Sequence, residues 1–230
     1  MTVTAAGTVA CRLAAEREFP ISFLTDAKNA LSLLSRGEWR EFIFRVKVHL
    51  LHVDLKNAYL DELDLPEERC HYYANSGGLH LEKVLRSLEI TPRDAIVDFG
   101  SGKGGALITF SRFPFSQITG VELSAELVAI AEENLRKLKI GNITMKVCDA
   151  ADFTDLDGYN YFYFFSPFPA NVMSAVIRNI NVSLGRRPRK AIIIYFNPEY
   201  HEAVVTDSPF VKVKEFHHNE LGYYVYTNKT

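Results

Sequence analysis

Four glycines and three carboxylates, each carboxylate at or near the end of an apolar run, are the residues of this chain best suited to chemistry. The first carboxylate is Asp98, in Ala95-Ile-Val-Asp-Phe-Gly-Ser-Gly-Lys-Gly-Gly105, where an apolar run breaks into a glycine-rich turn. Gly100, Gly102 and Gly104 supply the backbone freedom for a tight turn that a ligand can approach closely. The amides that open the following helix face such a ligand. Glycines at 100, 102 and 105 also satisfy G-x-G-x-x-G, the spacing of a dinucleotide loop. Asp98 discriminates, because an acid two residues before the first glycine suits a cationic amino group better than a pyrophosphate. The second carboxylate, Glu122, follows Ile118-Thr-Gly-Val121 and stands 22 residues beyond Gly100, near the spacing of an acid that accepts both hydroxyls of a ribose. The third, Asp149, follows Ile143-Thr-Met-Lys-Val147 and Cys148. Taken singly, each has a plain structural explanation: Glu122 precedes Ser124, a good helix N-cap, and Asp suits any loop after a strand. Their order carries the inference.

That order, D-x-G-x-G-x-G followed by two acids after successive strands, resembles the class I S-adenosylmethionine-dependent methyltransferases, and the likeness runs over about residues 71–229. The resemblance implies S-adenosylmethionine as cofactor, held at Asp98, Gly100, Ser101 and Gly102. Glu122 with Leu123 would bind the ribose, and Asp149 with the amide of Ala150 the adenine. In His71-Tyr-Tyr-Ala-Asn-Ser-Gly-Gly78, Tyr73 and Ser76 match residues that contact the methionine carboxylate in several branches; an N-cap and loop explains them equally well.

The aromatic run Tyr159-Asn-Tyr-Phe-Tyr-Phe-Phe165 ends at Ser166-Pro-Phe-Pro169, in the place of motif IV, so Ser166 to Phe168 are expected to border cofactor and acceptor. The match to the S-P-P-Y signature of amino-group methylating enzymes is partial, since Phe168 replaces the second proline and Pro169 the aromatic ring. Ser166 is read as a polar contact and a weak catalytic candidate, and Phe168 as an apolar or cation-stacking wall. Tyr195 and Asn197, where the fifth strand ends at Pro198, are further substrate contacts, with core packing as the alternative.

Methyl transfer from a sulfonium needs alignment and a dry pocket, and a base only when the nucleophile must lose a proton. His71, His80, His201, His217 and His218 are unranked as bases. No metal is expected, because Ser166 is a poor ligand for a hard cation and Asn197 alone is not an oxygen-rich site. The acceptor is read as a nitrogen or oxygen nucleophile of a small molecule or protein side chain, the loop and Gly120-Val-Glu-Leu-Ser124 also resembling stand-alone bacterial methyltransferases and some non-SET lysine methyltransferases. An NAD(P)-dependent oxidoreductase would use the same glycines, and a non-catalytic cofactor- or partner-binding module would use the same fold.

The elements that must position these residues point to an α/β fold. From about residue 93, apolar runs alternate with helix-length segments, as in a parallel sheet built from crossovers. Leu127, Ala131, Leu135 and Leu138 recur at helical spacing, and Gly141-Asn142 is the stop signal. Phe210 to Phe216 alternates, and Gly222 to Tyr226 follows after a polar turn, which predicts an antiparallel hairpin. With the resemblance, the expectation is a seven-stranded, mostly parallel, doubly wound sheet closed by that hairpin. Residues 91–230 form the domain, 20–90 an N-terminal helical extension or lid, and 1–19 a flexible tail. Within the extension, helices are predicted over 26–35 and 38–52, the second burying Trp39, Phe42, Val46 and Leu50 and leaving Arg40, Arg45 and Lys47 in water.

The 230 residues carry a formal charge of −2, with 47% hydrophobic and 23% charged residues, a globular composition that argues against a protein dominated by nucleic-acid binding. The basic run Arg186-Arg-Pro-Arg-Lys190 reads as a solvated loop before a strand. Cys11, Cys70 and Cys148 are too dispersed for a disulfide framework, which favours a cytoplasmic setting. No apolar run reaches the roughly 20 residues of a membrane span.

Overall fold

A computed structural model describes residues 32–35, 37–56, 74–165, 168–218 and 221–228. Seven strands form one sheet: β1 (Ala95–Phe99), β2 (Gln117–Glu122), β3 (Ile143–Val147), β4 (Tyr161–Phe165), β5 (Ile192–Phe196), β6 (Phe210–His218) and β7 (Leu221–Asn228). Their spatial order is β3-β2-β1-β4-β5-β7-β6. β1 to β5 pair in parallel, and β7 runs antiparallel between β5 and β6. The expected hairpin therefore closes the sheet. Every residue of β1 is buried, as befits a central parallel strand covered on both faces. At the β6 edge, Lys212 and Lys214 flank a register shift, two devices that discourage edge-to-edge pairing. Between β1 and β4 the strand order reverses, which is where ligands gather in open α/β sheets.

The helices that accompany the sheet among the described residues include α1 (Trp39–Leu50), α2 (Leu79–Arg86), α3 (Gly105–Phe110), α4 (Ala125–Leu138), α5 (Ala170–Arg186) and α6 (His201–Val205). On one face, Leu81 and Leu85 of α2 and Leu107 and Phe110 of α3 pack with Ile96, Ile118, Tyr163 and Ile194. On the other, Val172, Val176 and Ile180 of α5 and Val204 of α6 pack with Val97, Phe99, Phe162 and Ile193. The split follows the two-residue period of a strand, so Asp98 shares the α2–α3 face with Ile96. Because Leu81 and Leu85 are fully buried, α2, counted with the extension by sequence, is part of the domain's core.

The helix α4 starts where its signals predict, with Ser124 Oγ accepting from the Leu127 amide at 3.2 Å. It ends at Lys139 in the left-handed conformation, two residues before Gly141. The predicted second helix of the extension is α1, but it presents a different stripe. Phe44, Val48 and Leu51 pack toward Ile108, Leu135 and Leu138, whereas Trp39, Val46 and Leu50 are exposed. Both stripes are apolar, and ion pairs choose between them: Glu41, buried on the inward side, meets Arg45 at 3.2 Å and Arg112 at 3.8 Å. Of the first predicted helix, 32–35 is helical and 26–31 lies outside the described residues, as does the tail 1–19.

The basic run before β5 is more than a solvated loop. Arg189 donates to the carbonyls of Tyr159, Leu156 and Arg187 at 2.6, 2.8 and 2.8 Å, and Arg186 pairs with Asp157 at 2.8 Å. These bonds tie the segment after α5 to the one before β4. No helix among the described residues is long and apolar enough to cross a membrane.

Candidate functional site

The turn after β1 is bound to the end of β2 through its backbone. The amides of Gly100 and Ser101 donate to the Val121 carbonyl at 2.8 and 3.1 Å, and the Gly104 amide to the Ser101 carbonyl at 2.9 Å. Gly100, Gly102 and Gly104 all have positive φ, a path that residues with a Cβ rarely follow. Glu122 completes the turn: one carboxylate oxygen accepts from the Gly102 amide at 2.8 Å, the other from the Ser124 amide at 3.0 Å. Its own carbonyl accepts from Cys148 at 2.9 Å, so β3 ends against the same residue. Burial raises the Glu122 carboxyl above its ordinary range, against the amides of Ser124, Gly102 and Leu123, which favour the anion. Two carboxylate oxygens have about four lone-pair directions, so acceptor capacity remains for a ligand's hydroxyls.

Asp98 is the contrasting acid. It is buried, with no cation beside it among the described residues, and its carboxyl is held well above the ordinary range by burial first and the nearby Glu122 charge second. A buried carboxylate without a counter-charge is costly, and a cationic ligand group would relieve it. Across the strand pair, Asp98 stands in register with Tyr163 of β4. The Tyr163 hydroxyl is buried without a well-formed hydrogen bond, with Ser76 and Tyr223 as its neighbours. Burial pushes its ionisation well above the ordinary tyrosine range.

Residues 74–78 lie on the start of α3. A Cβ on Gly77 would stand 2.1 Å from the Gly105 carbonyl oxygen, and one on Gly105 would stand 1.9 Å from Asn75 Oδ1. Only two glycines permit this approach. The Gly78 amide fixes it by donating to Thr109 Oγ1 at 2.9 Å.

Of the residues singled out by sequence, Asp98, Gly100, Gly102, Glu122 and Leu123 meet at the ends of β1 and β2, and Ser76 faces the same corner through Tyr163. Ser101 is in the loop, but its hydroxyl is buried without a partner and points inward, 2.7 Å from where a Gly120 Cβ would stand. Its backbone serves the turn. Asp149 lies half-buried beyond β3, accepting from the Ala151 amide at 2.9 Å, with Ala150 buried beside it. Tyr73, His71 and Ser166 lie outside the described residues.

The expected acceptor residues are distributed differently. Phe168 is buried in the core, its ring edge-on to Phe164 at 6.3 Å. Tyr195 is fully buried on the α5–α6 side. Asn197 alone lies at the strand end, half-buried at φ +50°, with its amide on the Gly222 carbonyl at 2.8 Å and Nδ2 on Glu199 at 2.8 Å. The strand ends also carry a ring stack that the sequence reading missed: Phe165 on Phe196 at 4.5 Å and Phe196 on Tyr223 at 4.2 Å. Its signal was the aromatic end of each run, but only the strand register aligns the three. Lys103, Asp54 and Asn134, joined around the loop, were also missed. The legible hint was a polar residue, Asn134, on the apolar stripe of α4.

A family model described as a methyltransferase domain matches residues 90–185. The human protein EEF1A lysine methyltransferase 2 is 34% identical over 71 residues, which is 30% of this chain and 30% of that protein. The chain thus matches less than a third of that relative's length. Among solved structures, an S-adenosylmethionine-dependent methyltransferase from Aquifex aeolicus superimposes with a TM-score of 0.53 at 14% identity, over 64% of this chain and 88% of the other. An RNA methyltransferase from Salinibacter ruber, solved with S-adenosylhomocysteine, gives 0.50 at 12% identity, over 65% and 90%. At such identities the likeness establishes the fold.

Proposed function

We propose that this chain, matched over residues 90–185 by a model described as a methyltransferase domain, is a class I methyltransferase that binds S-adenosylmethionine and transfers its methyl group to a nitrogen or oxygen nucleophile. The observation that carries the reading is the pair of buried carboxylates around one glycine loop, Glu122 bound to the Gly102 amide and Asp98 with no counter-charge among the described residues. The chain's residues fit that cofactor: Asp98 would take the ammonium group, Glu122 the ribose hydroxyls, and Asp149 with Ala150 the adenine. Ser76 and Tyr73 remain proposed contacts of the methionine carboxylate, and Ser166 a proposed contact near the reacting group.

When bound, S-adenosylmethionine supplies an electrophilic sulfonium methyl. The chain's own part is to orient and desolvate. Asp98 and Glu122 fix two ends of one ligand from two strands, and the rings of Phe165, Phe196 and Tyr223 keep the adjoining strand ends apolar. An acceptor entering there would meet Asn197 as a polar contact.

A protein side chain is the first acceptor class to test, a reading supported by the name of the human relative alone; a small molecule is the other. Titration with S-adenosylhomocysteine, with NADH as comparison, tests the cofactor. Incubation with methyl-labelled donor and cell extract tests transfer. Enzyme-dependent label on a protein band supports the protein reading, label only in the small-molecule fraction rejects it, and no label with either would reduce the chain to a binding module. Binding of NADH alone would favour the oxidoreductase reading.

A further inference from the structure

Lys103 sits in the middle of the glycine loop, yet its side chain runs away from Asp98 and Glu122. The side chain is only 7% exposed, and Nζ reaches Asp54 Oδ2 at 2.9 Å. Asp54 belongs to the segment just after α1, in the N-terminal extension. Asn134 of α4, 1% exposed, joins the two: Nδ2 donates to the carbonyls of Asp54 at 2.7 Å and Lys103 at 3.1 Å, and Oδ1 accepts from the Asp54 amide at 2.9 Å. Val53, beside Asp54, is buried against the α3–α4 side, and Lys137 donates to the His52 carbonyl at 2.6 Å. The extension is thus anchored on the loop residue between Gly102, whose amide binds Glu122, and Gly104.

We infer that Asp54, Lys103 and Asn134 form a positioning clamp that holds the glycine loop in its ligand-binding shape and couples docking of the N-terminal extension to occupancy of the loop. The loop's own geometry makes such a clamp consequential. Three glycines at positive φ have large conformational freedom to lose, and a side chain anchored between them restricts it. Coupling between two sites is reciprocal, so whatever loosens the extension must weaken the ligand, and the ligand must tighten the extension. None of the three residues is proposed to touch substrate. The coupling to ligand rests on the cofactor reading above, whereas the ordering of the loop does not.

The pair separates clamping from mere stability. Asp54→Asn takes a carboxylate partner from a buried ammonium, which is unfavourable, while Lys103→Met removes that charge and keeps its packing. Asp54→Asn should therefore lower Tm, and Asp54→Asn combined with Lys103→Met should recover it to the level of Lys103→Met alone. The clamp requires that loop order does not recover with it.

Hydrogen exchange on the ligand-free protein reads this directly. The amides of residues 100–105 should exchange about tenfold faster or more in both single variants and in the double variant, with Arg136→Ala, on the solvent side of α4, as an unaffected control. Affinity for S-adenosylhomocysteine should fall about fivefold to a hundredfold in the same three, the double no worse than the poorer single. Unchanged exchange at 100–105 in folded Lys103→Met, or recovery of exchange together with Tm in the double variant, would overturn the clamp. If the wild type does not bind S-adenosylhomocysteine at all, the cofactor reading fails, and the exchange arm still decides whether the loop is clamped.

Discussion

The carboxyl ends of β1 and β2 and those of β4 and β5 lie along one edge of the sheet but are built on different principles. At β1 and β2, main-chain amides and two buried acids hold a loop of glycines, and the polar groups are either bound to the backbone, as Glu122 is, or left without a counter-charge, as Asp98 is. At β4 and β5, rings stack on rings, and the side chains expected to contact an acceptor, Phe168 and Tyr195, are buried in the core. One end is chemically specific and rigidly bonded. The other is apolar and offers few polar handles. On the proposed function, the first end would hold the cofactor and the second would meet the acceptor.

Changes at the two ends should therefore separate. The largest effect is expected from Glu122→Ala, which removes the acceptor of the Gly102 and Ser124 amides together with the proposed ribose contact. Affinity for S-adenosylhomocysteine should fall by about a hundredfold or more, measured by calorimetric titration. A fall of less than about threefold would remove Glu122 from the cofactor site.

Asp98→Asn should act next most strongly, lowering affinity about tenfold to a hundredfold by loss of a charge-assisted contact. It should also raise the Tm of the ligand-free protein, because a buried carboxylate without a partner opposes folding. The sign of the pH effect follows from the raised Asp98 carboxyl. Above the ordinary range near pH 4, the folded protein keeps a proton that the unfolded chain releases, so stability falls as pH rises toward the folded-state value. Asp98→Asn should flatten that decline in thermal melts taken from about pH 4 to pH 8. Ligand affinity should run the opposite way in the wild type, weakening on acidification before ordinary carboxylates titrate, because only ionised Asp98 pairs with an ammonium group. An affinity independent of pH across that range would argue against the pairing.

The smallest effect on cofactor should come from Asn197→Gly, which keeps the left-handed backbone at that position and removes the side chain at the acceptor end. Affinity for S-adenosylhomocysteine should change less than about twofold, while turnover with an identified acceptor falls. A large loss of cofactor affinity would erase the distinction between the two ends.

The same division governs what was legible in the sequence. Asp98, Gly100, Glu122 and Asp149 each follow an apolar run within one or two residues, so their positions at strand ends follow from local pattern alone. The sheet was legible for the same reason: Ala95–Phe99 and Tyr161–Phe165 read as buried strands, and the alternation of Phe210 to Phe216 gave the hairpin. What was not legible depends on distant partners. Trp39, Val46 and Leu50 form as good an apolar stripe as Phe44, Val48 and Leu51, and the residues that receive the second stripe, Ile108, Leu135 and Leu138, lie far along the chain. Lys103 carries no signal of its own in the loop, because its partners Asp54 and Asn134 lie far from it in sequence. Phe168 lies just after β4 and Tyr195 near the end of β5, but an aromatic ring at a strand end can turn into the core, and these two do.

The most direct test of the central claim is calorimetric titration of the wild-type chain with S-adenosylhomocysteine, NADH serving as the comparison ligand and Glu122→Ala as the control. The account predicts micromolar binding of S-adenosylhomocysteine alone, weakening as pH is lowered and lost in Glu122→Ala. Equal binding to wild type and Glu122→Ala, or binding of NADH in place of S-adenosylhomocysteine, would contradict it.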